Sequence, residues 1–527
     1  MLQTLIDTLQ RADGWRRRGF SALAGASAAL AFAPFYILPL MVLAYSALVL
    51  LIDGAHARDR AVRAAFGIGW WFGFGYYLIG IHWFAFAFLV QAEQFAWMAP
   101  FAVFGMSGFL ALFHGGAMAL AARFWRSGWP RVFLLAATLC VFDYLRGHIL
   151  TGLPWNLPGQ SLAGMALSAQ TAAFWGVYGL SLVVLCLAMF PAAFLSADRA
   201  VSRRALLKGL LVCLTGAVVI LVIGAIRLAA LPPVDRDDVH LRIVQPNIAQ
   251  REKIDPALWD RNLKRSVDLS AGPSTGSGDI IVIWPENAVP LLDESPTALG
   301  LVDESLPRNS TLITGAVRRQ RDAQGIWRVY NSLLILPRSE DGRYVAMRYD
   351  KHHLVPFGEY LPMKRILRAI GLAQLAPYED GFTPGSGPQT LNLPSGSVAP
   401  LICYEAIFPG DLYPHGSRPE WLLTVTNDAW FGDAAGPRQH LDQARLRSIE
   451  SGLPMARSAN TGISSLIGPA GRLRASVDLY QTGVIDIALP ASIAPTLYSR
   501  IRDWGFFVML IAAIGISRLP DRTARQG

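Results

Sequence analysis

Ile280-Ile-Val-Ile-Trp-Pro-Glu286 is an apolar run that ends in proline and a carboxylate. An unbroken apolar run of this length, without alternation, reads as a strand covered on both faces. Similar runs at 241–245, 311–316, 331–336, 401–404, 421–426 and 464–467 read as further strands. Between them, 257–270, 296–306 and 440–452 carry helical patterns. Strands interleaved with helices predict an α/β layered domain over 232–499.

The rest of the chain has a different character. Of 527 residues, 53% are hydrophobic and only 16% charged, with a mean hydropathy of +0.34. Soluble domains carry about 25% charged residues. The long apolar runs concentrate before residue 231, and a last one follows residue 500. A membrane-spanning helix needs about 20 mostly apolar residues. That rule predicts spans near 19–34, 36–53, 66–90, 97–122, 131–149, 171–196, 206–230 and 501–518. Pro34 and Pro39 divide the first run, which reads either as a hairpin of two short spans or as one kinked helix. The expected architecture is a membrane α-helical bundle of about eight helices plus the α/β domain. Its parts are 1–231 (spans one to seven), 232–499 (the outer domain) and 500–527 (the last span and tail).

The net charge of +9 is distributed in short arginine clusters between apolar runs. Arg16–Arg18, Arg58/Arg60/Arg63, Arg123/Arg126/Arg131, Arg199/Arg203/Arg204/Lys208 and Arg518/Arg522/Arg525 all fall on one side of an eight-span topology. The loops 91–97 and 149–171, apart from their span ends, carry no lysine or arginine. By the positive-inside rule both termini are cytoplasmic and 232–499 faces outward. Arginines so dispersed form no stripe for nucleic acid, and no nucleic-acid partner is expected.

Three segments put a polar residue just past an apolar strand, where open α/β sheets carry their active sites. They are Trp284-Pro-Glu286, Tyr349-Asp-Lys351-His-His-Leu-Val-Pro-Phe-Gly-Glu359 and Leu401-Ile-Cys403-Tyr-Glu405. Of four cysteines, Cys140, Cys186 and Cys213 lie in apolar runs and read as small buried hydrophobes. Cys403 alone belongs to the outer domain. A nucleophilic thiol needs a base or a cation beside it. Glu286 can serve as the base and Lys351 as the cation that holds a developing oxyanion. Taken singly, each also fits a bland role: a strand-end cysteine, a loop glutamate, a surface lysine paired with Asp350. The pair His352-His353 has no matching cluster, and neither metal nor cofactor is expected. His82 and His114 fall inside spans and read as neutral histidines bonding a neighbouring helix.

Glu, Lys and Cys in this chain order resemble the catalytic set of the nitrilase superfamily, from Leu241 to about Ile487. Ile243-Val-Gln-Pro-Asn247, Thr426-Asn-Asp-Ala-Trp-Phe-Gly432, His440-Leu-Asp-Gln-Ala-Arg-Leu-Arg447 and Arg457-Ser-Ala-Asn-Thr-Gly462 fit the same frame. With a multi-span domain around it, the chain looks like the apolipoprotein N-acyltransferases of bacterial inner membranes. Lys351-x-x-Leu-Val-Pro-Phe-Gly-Glu-Tyr-x-Pro362 and Thr151-Gly-Leu-Pro-Trp155 look like that family's signatures.

The resemblance implies an α-β-β-α sandwich and a two-step exchange. A phospholipid would acylate Cys403, and the α-amine of a diacylglyceryl-cysteine lipoprotein would take the acyl chain from the thioester. It further implies that Glu286 moves the protons, that Lys351 and the Tyr404 N–H hold the oxyanion, and that Glu359 and Glu405 either orient the lysine or the amine or form structural ion pairs. Trp284, Asn427 and Trp430 would contact substrate. A monomer in the inner membrane with its catalytic domain in the periplasm is expected. One alternative is a membrane-tethered amidase with the same triad and water as acceptor. Another is a transporter using Asp143 and Arg146. A lid is expected at 362–384, where glycine and proline surround apolar residues.

Overall fold

Two compact units divide the chain: Met1–Ala230, Ala434–Leu446 and Pro495–Gly527 form the first, Leu231–Asp433 and Arg447–Ala494 the second. The computed structural model describes residues 2–56, 60–195, 203–272, 278–307, 310–337, 347–362 and 381–520. Most of the expected lid, at 363–380, lies outside the described residues.

In the second unit the described strands are, in chain order, β1 (Asp235–Gln245), β2 (Asp279–Ile283), β3 (Ser310–Arg321), β4 (Trp327–Pro337), β5 (Met347–Asp350), β6 (Leu391–Leu393), β7 (Gly396–Ile402), β8 (Trp421–Thr426), β9 (Met455–Ala459), β10 (Ser464–Ile467), β11 (Leu473–Val477) and β12 (Gly483–Pro490). They build two six-stranded sheets, ordered β12-β1-β2-β3-β4-β5 and β11-β10-β9-β8-β7-β6. Each sheet has a parallel centre, β1-β2-β3 in one and β7-β8-β9 in the other, with antiparallel edges. Leu241, Ile243, Ile281, Ile283 and Ile335 of the first sheet interdigitate with Val398, Ile402, Leu423, Val425 and Leu466 of the second. The alternate residues Ile280, Val282 and Leu312 face outward onto Leu263, Val267 and Val302 of helices Trp259–Ser270 and Pro296–Ser305. Both faces of β2 are therefore buried, which is why its sequence does not alternate.

The first unit is helical. Leu38–His56, Met98–Arg123, Ala172–Ala193 and Arg203–Ala229 are long and apolar enough to cross a membrane; Ala61–Gly80 with His82–Leu89, bent by 49°, makes a fifth. Among the described residues that is fewer than the eight expected. Each missing span has a reason in its residues. Gly14–Ala29 is 16 residues long and opens with Arg16–Arg18. Arg131–His148 carries Arg131, Asp143 and Arg146, and Trp504–Ser517 has only 14 residues. Around Pro34 the chain breaks into two helices, the hairpin alternative.

Buried charges in this unit are spent on backbone. Arg131 pairs with Asp53 at 3.0 Å and donates to the carbonyls of Ala192, Ala193 and Leu195, tying off the end of helix Ala172–Ala193. Arg146 pairs with Asp143 at 2.9 Å and donates to Trp155 O at 2.8 Å, which orders the Thr151–Trp155 segment. Trp155 in turn donates to Gln439, and Tyr36 to Asp442. A transporter would need such charges open to a pathway; these are closed. Of the two histidines inside expected spans, His82 bonds Ile79 O of its own chain turn, and His114 packs among Phe72, Tyr76 and Tyr77.

Candidate active site

Three chain segments leave the first and second sheets at one edge of the sandwich. After β2 the chain passes Pro285 to Glu286, pressed onto β3 at Gly315. A Cβ there would stand 2.5 Å from Asn287 N and 2.6 Å from Glu286 Cα, so only glycine fits. After β5 comes Lys351, whose N–H bonds Asn331 O of β4 at 2.8 Å. After β7 comes Cys403, in the left-handed region at φ +51°, opening a short turn over Cys403–Ile407. Cys403 as a residue is half-buried, and it packs against the core between the two sheets.

Lys351 is 1% exposed and lies 2.9 Å from both oxygens of Glu359 and 3.7 Å from Glu286 Oε1. Asn331 donates its amide to Glu286 Oε1 and Glu359 Oε1, 2.8 Å each. Asp350, by contrast, is taken by Arg318 and Ser332. The surface-pair reading of Lys351 is therefore wrong, because its charge faces inward to two carboxylates. Burial alone would push the Lys351 ammonium down, but Glu359, Glu286 and Cys403 outweigh it and raise its pKa, so it stays charged. Burial also pushes the Cys403 thiol up, and Glu286 adds to this while Lys351 opposes it. The net effect keeps the proton on the thiol.

Glu405 works beneath these groups. Its oxygens accept from the backbone N–H of Ile402 at 2.7 Å and of His352 at 2.8 Å, and from the Tyr349 hydroxyl at 2.9 Å. One buried carboxylate thus fastens the cysteine strand to the lysine segment. Tyr404 packs edge-on against Phe408 and His353.

The expected substrate residues divide. Trp430 is 38% exposed in the turn after β8. Trp284 is fully buried on the outward, helix-covered face of its sheet, with its indole N–H on Ser270 at 2.8 Å. It is a core residue, since alternation along the strand turns it away from the neighbouring sheet. Asn427 is buried as well; it donates to Gln250 and accepts from Asn460.

Two residues were missed from the sequence. Lys253 is buried and its ammonium donates to Glu286 O at 2.5 Å. Burial lowers it to about 8, against the charges of Glu286 and Cys403. It lies eight residues past β1, at the end of the short helix Gln250–Lys253, so the strand-end rule gave no signal for it. Asn331 gave a faint signal, a polar Asn-Ser pair opening an apolar run. Among the described residues no group of three or more histidine, cysteine or acidic side chains could hold a metal ion.

Comparison with known proteins covers both halves. Residues 24–190 match the apolipoprotein N-acyltransferase N-terminal domain, and residues 241–498 the carbon-nitrogen hydrolase family. Apolipoprotein N-acyltransferase of Rhodopseudomonas palustris is 42% identical across 99% of this chain and 98% of its own. That of Bradyrhizobium diazoefficiens is 42% identical across 95% and 94%. That of Brucella suis is 38% identical across 98% and 97%. A solved CN-hydrolase superfamily protein of Xanthomonas campestris aligns at 18% identity and a TM-score of 0.34, over 53% of this chain and 97% of that one. With full-length identity to these acyltransferases on both sides of residue 231, the chain belongs to the apolipoprotein N-acyltransferase family.

Proposed function

We propose that this protein moves a fatty acyl chain from a membrane phospholipid to the α-amine of a lipoprotein's diacylglyceryl-cysteine, through a thioester on Cys403. The observation that carries the reading is the buried Lys351 charge, held by Glu359 and Glu286 beside a protonated cysteine.

In the first half, Glu286 takes the Cys403 proton as sulfur attacks the ester carbonyl carbon. The C–S bond forms, the oxyanion leans on Lys351 and the Tyr404 N–H, and the C–O bond breaks. Glu286 returns the proton to the leaving glycerol oxygen, and a lysophospholipid departs. In the second half the lipoprotein amine attacks the thioester and Glu286 accepts the amine proton. The C–S bond breaks, and the proton returns to the thiolate. Splitting the transfer in this way replaces one difficult step by two easier ones. A fixed ammonium costs no reorganisation when the charge develops.

The helices of the first unit span the bacterial inner membrane as a multi-pass bundle, helped by the shorter Gly14–Ala29, Arg131–His148 and Trp504–Ser517 helices. The arginine clusters, all on one side of this topology, support cytoplasmic termini and a periplasmic catalytic domain. The domain limits follow the topology: 1–231, 232–499 and 500–527. All reacting groups come from one chain, so a monomer suffices.

Incubating the purified protein with phospholipid vesicles, followed by peptide mass spectrometry, tests the reading. The expected result is a fatty acyl group on Cys403 that moves to an added diacylglyceryl-cysteine peptide, and is absent in Cys403→Ala and Glu286→Gln. An adduct lost only to water would make the protein a hydrolase, and activity intact in Cys403→Ala would refute the triad.

A further inference from the structure

Helices Gly14–Ala29 and Ala61–Gly80 cross at two glycines. A Cβ on Gly25 would stand 1.9 Å from Phe72 O, and one on Gly75 2.0 Å from Ala22 O. Contact this close holds the backbones together at the crossing. On the N-terminal side of that crossing a cleft of about 670 Å³ opens between the same two helices. Its walls are Asp13, Arg17, Arg18 and Ser21 from one helix start, and Arg60, Arg63, Phe66, Ile68 and Trp71 from the other.

Four arginines against the single Asp13 make this cavity strongly positive. The Ser21 hydroxyl is directed to Arg17 O at 2.8 Å. Both helices begin here without a side-chain cap, so their first-turn N–H groups add to the same field. Positive-inside charge alone would scatter arginines along loops. Here two pairs converge from separate helices on one cavity. The floor and rim are apolar: Phe66, Ile68 and Trp71 line the cleft, and Leu23 on the same helix as Arg17 is 69% exposed. At the mouth Arg18 stacks on Trp15, which is 75% exposed, the pairing of aromatic and arginine found at headgroup depth. A ligand that satisfies both halves has a net negative phosphodiester and an apolar stem.

We propose that this cleft binds the headgroup of an anionic membrane phospholipid, such as phosphatidylglycerol, as a resident lipid separate from the acyl donor. Basic pockets between membrane helices bind acidic lipids by this chemistry. The inference rests on the membrane reading of the first unit, and not on the catalytic reading of the second.

The test uses full-length, delipidated Cys403→Ala protein in detergent, so that no turnover occurs, with bound lipids counted by native mass spectrometry. Phosphatidylglycerol and phosphatidylethanolamine are titrated separately. In the double variant Arg18→Gln/Arg63→Gln, the expected result is loss of one phosphatidylglycerol, with its affinity falling at least about tenfold, and no change in phosphatidylethanolamine. Arg18→Lys/Arg63→Lys restores much of the binding and guards against misfolding of the glutamine pair, which elution as a monodisperse peak also checks. Equal retention of phosphatidylglycerol by the double variant overturns the proposal. So does displacement of the lipid by millimolar inorganic phosphate with the same arginine dependence, which would make the cleft a free-anion site. The glutamine pair in the Cys403 background forms its acyl adduct at the parental rate. A parental protein that forms no adduct would instead refute the catalytic reading and leave the cleft standing.

Discussion

Both carboxylate oxygens of Glu359 lie 2.9 Å from the Lys351 ammonium, and the pair is closed to water. The lysine is thus aimed before substrate arrives, and the aim depends on two oxygens of equal charge. Glu359→Gln keeps the shape but replaces one acceptor by a donor that faces the ammonium. Acylation of Cys403 should slow by about 10²–10³-fold, the usual cost of a misplaced oxyanion donor. Glu359→Ala should also lower the melting temperature, because a buried charge that loses its partner costs about 3–5 kcal/mol. Rates of adduct formation and thermal unfolding separate the two effects.

The Lys253 ammonium donates to the backbone carbonyl of Glu286. Its native pKa of about 8 lies below the ordinary lysine value of 10.5. Between those two values the unfolded chain binds more protons than the native one, so this group's contribution to stability rises with pH across that window. In Lys253→Met the rise disappears, and acyl transfer falls by about tenfold as Glu286 loses a charged hydrogen bond. Melting curves taken across the same window, compared with wild type, check the first effect; a wild-type curve without that rise would contradict it.

His352 behaves in the opposite sense. Burial lowers it, but the carboxylates of Asp411, 3.9 Å away, and Glu405, 2.7 Å away, prevail and raise it from 6.5 to about 9. Its native pKa is raised, so the stability it adds is complete below 6.5 and is lost as pH climbs through 9. His352→Gln should flatten that decline. Imidazole proton shifts followed by NMR should show a titration midpoint well above an ordinary histidine.

Arg457 and Asp428 form an ion pair at 2.5 Å with neither side chain exposed, and Thr426 donates to Asp428 at 2.8 Å. Asp428→Ala leaves the guanidinium without its countercharge and should destabilise the domain by about 3–5 kcal/mol. Asp428→Ala/Arg457→Met removes both charges and should recover most of that loss. Thermal unfolding of the single and double variants measures the difference.

The same ion pair explains what the sequence concealed. Met455-Ala-Arg-Ser-Ala459 has no apolar run and gives no strand signal, yet every residue of β9 is buried, and Asp428 pairs with its arginine from the neighbouring strand's end. Sequence patterns measure hydrophobicity, and a strand whose polar groups are satisfied by distant partners escapes them. Strands β2 and β8, mostly apolar, were legible to within a residue of their ends. For the candidate site, the strand-end rule singled out Glu286, Lys351 and Cys403 because each follows an apolar run. It gave no view of Asn331, which sits inside a strand and joins two carboxylates only once β4 lies beside β5. Trp284, expected to contact substrate, lies in the core instead: it faces the helices with Ile280 and Val282, and the chain leaves the strand at Pro285 before it reaches Glu286.

The backbone at Cys403 sets a term of its own. A non-glycine residue in the left-handed region costs about 1–2 kcal/mol, and Cys403 sits there at φ +51°. Alanine and serine in its place inherit the same conformation and the same cost, whereas glycine escapes it. Selection for stability alone would therefore drift toward glycine at 403. A cysteine at 403 is therefore held against the fold's own preference, and the thioester chemistry proposed for its sulfur is what that strain would serve.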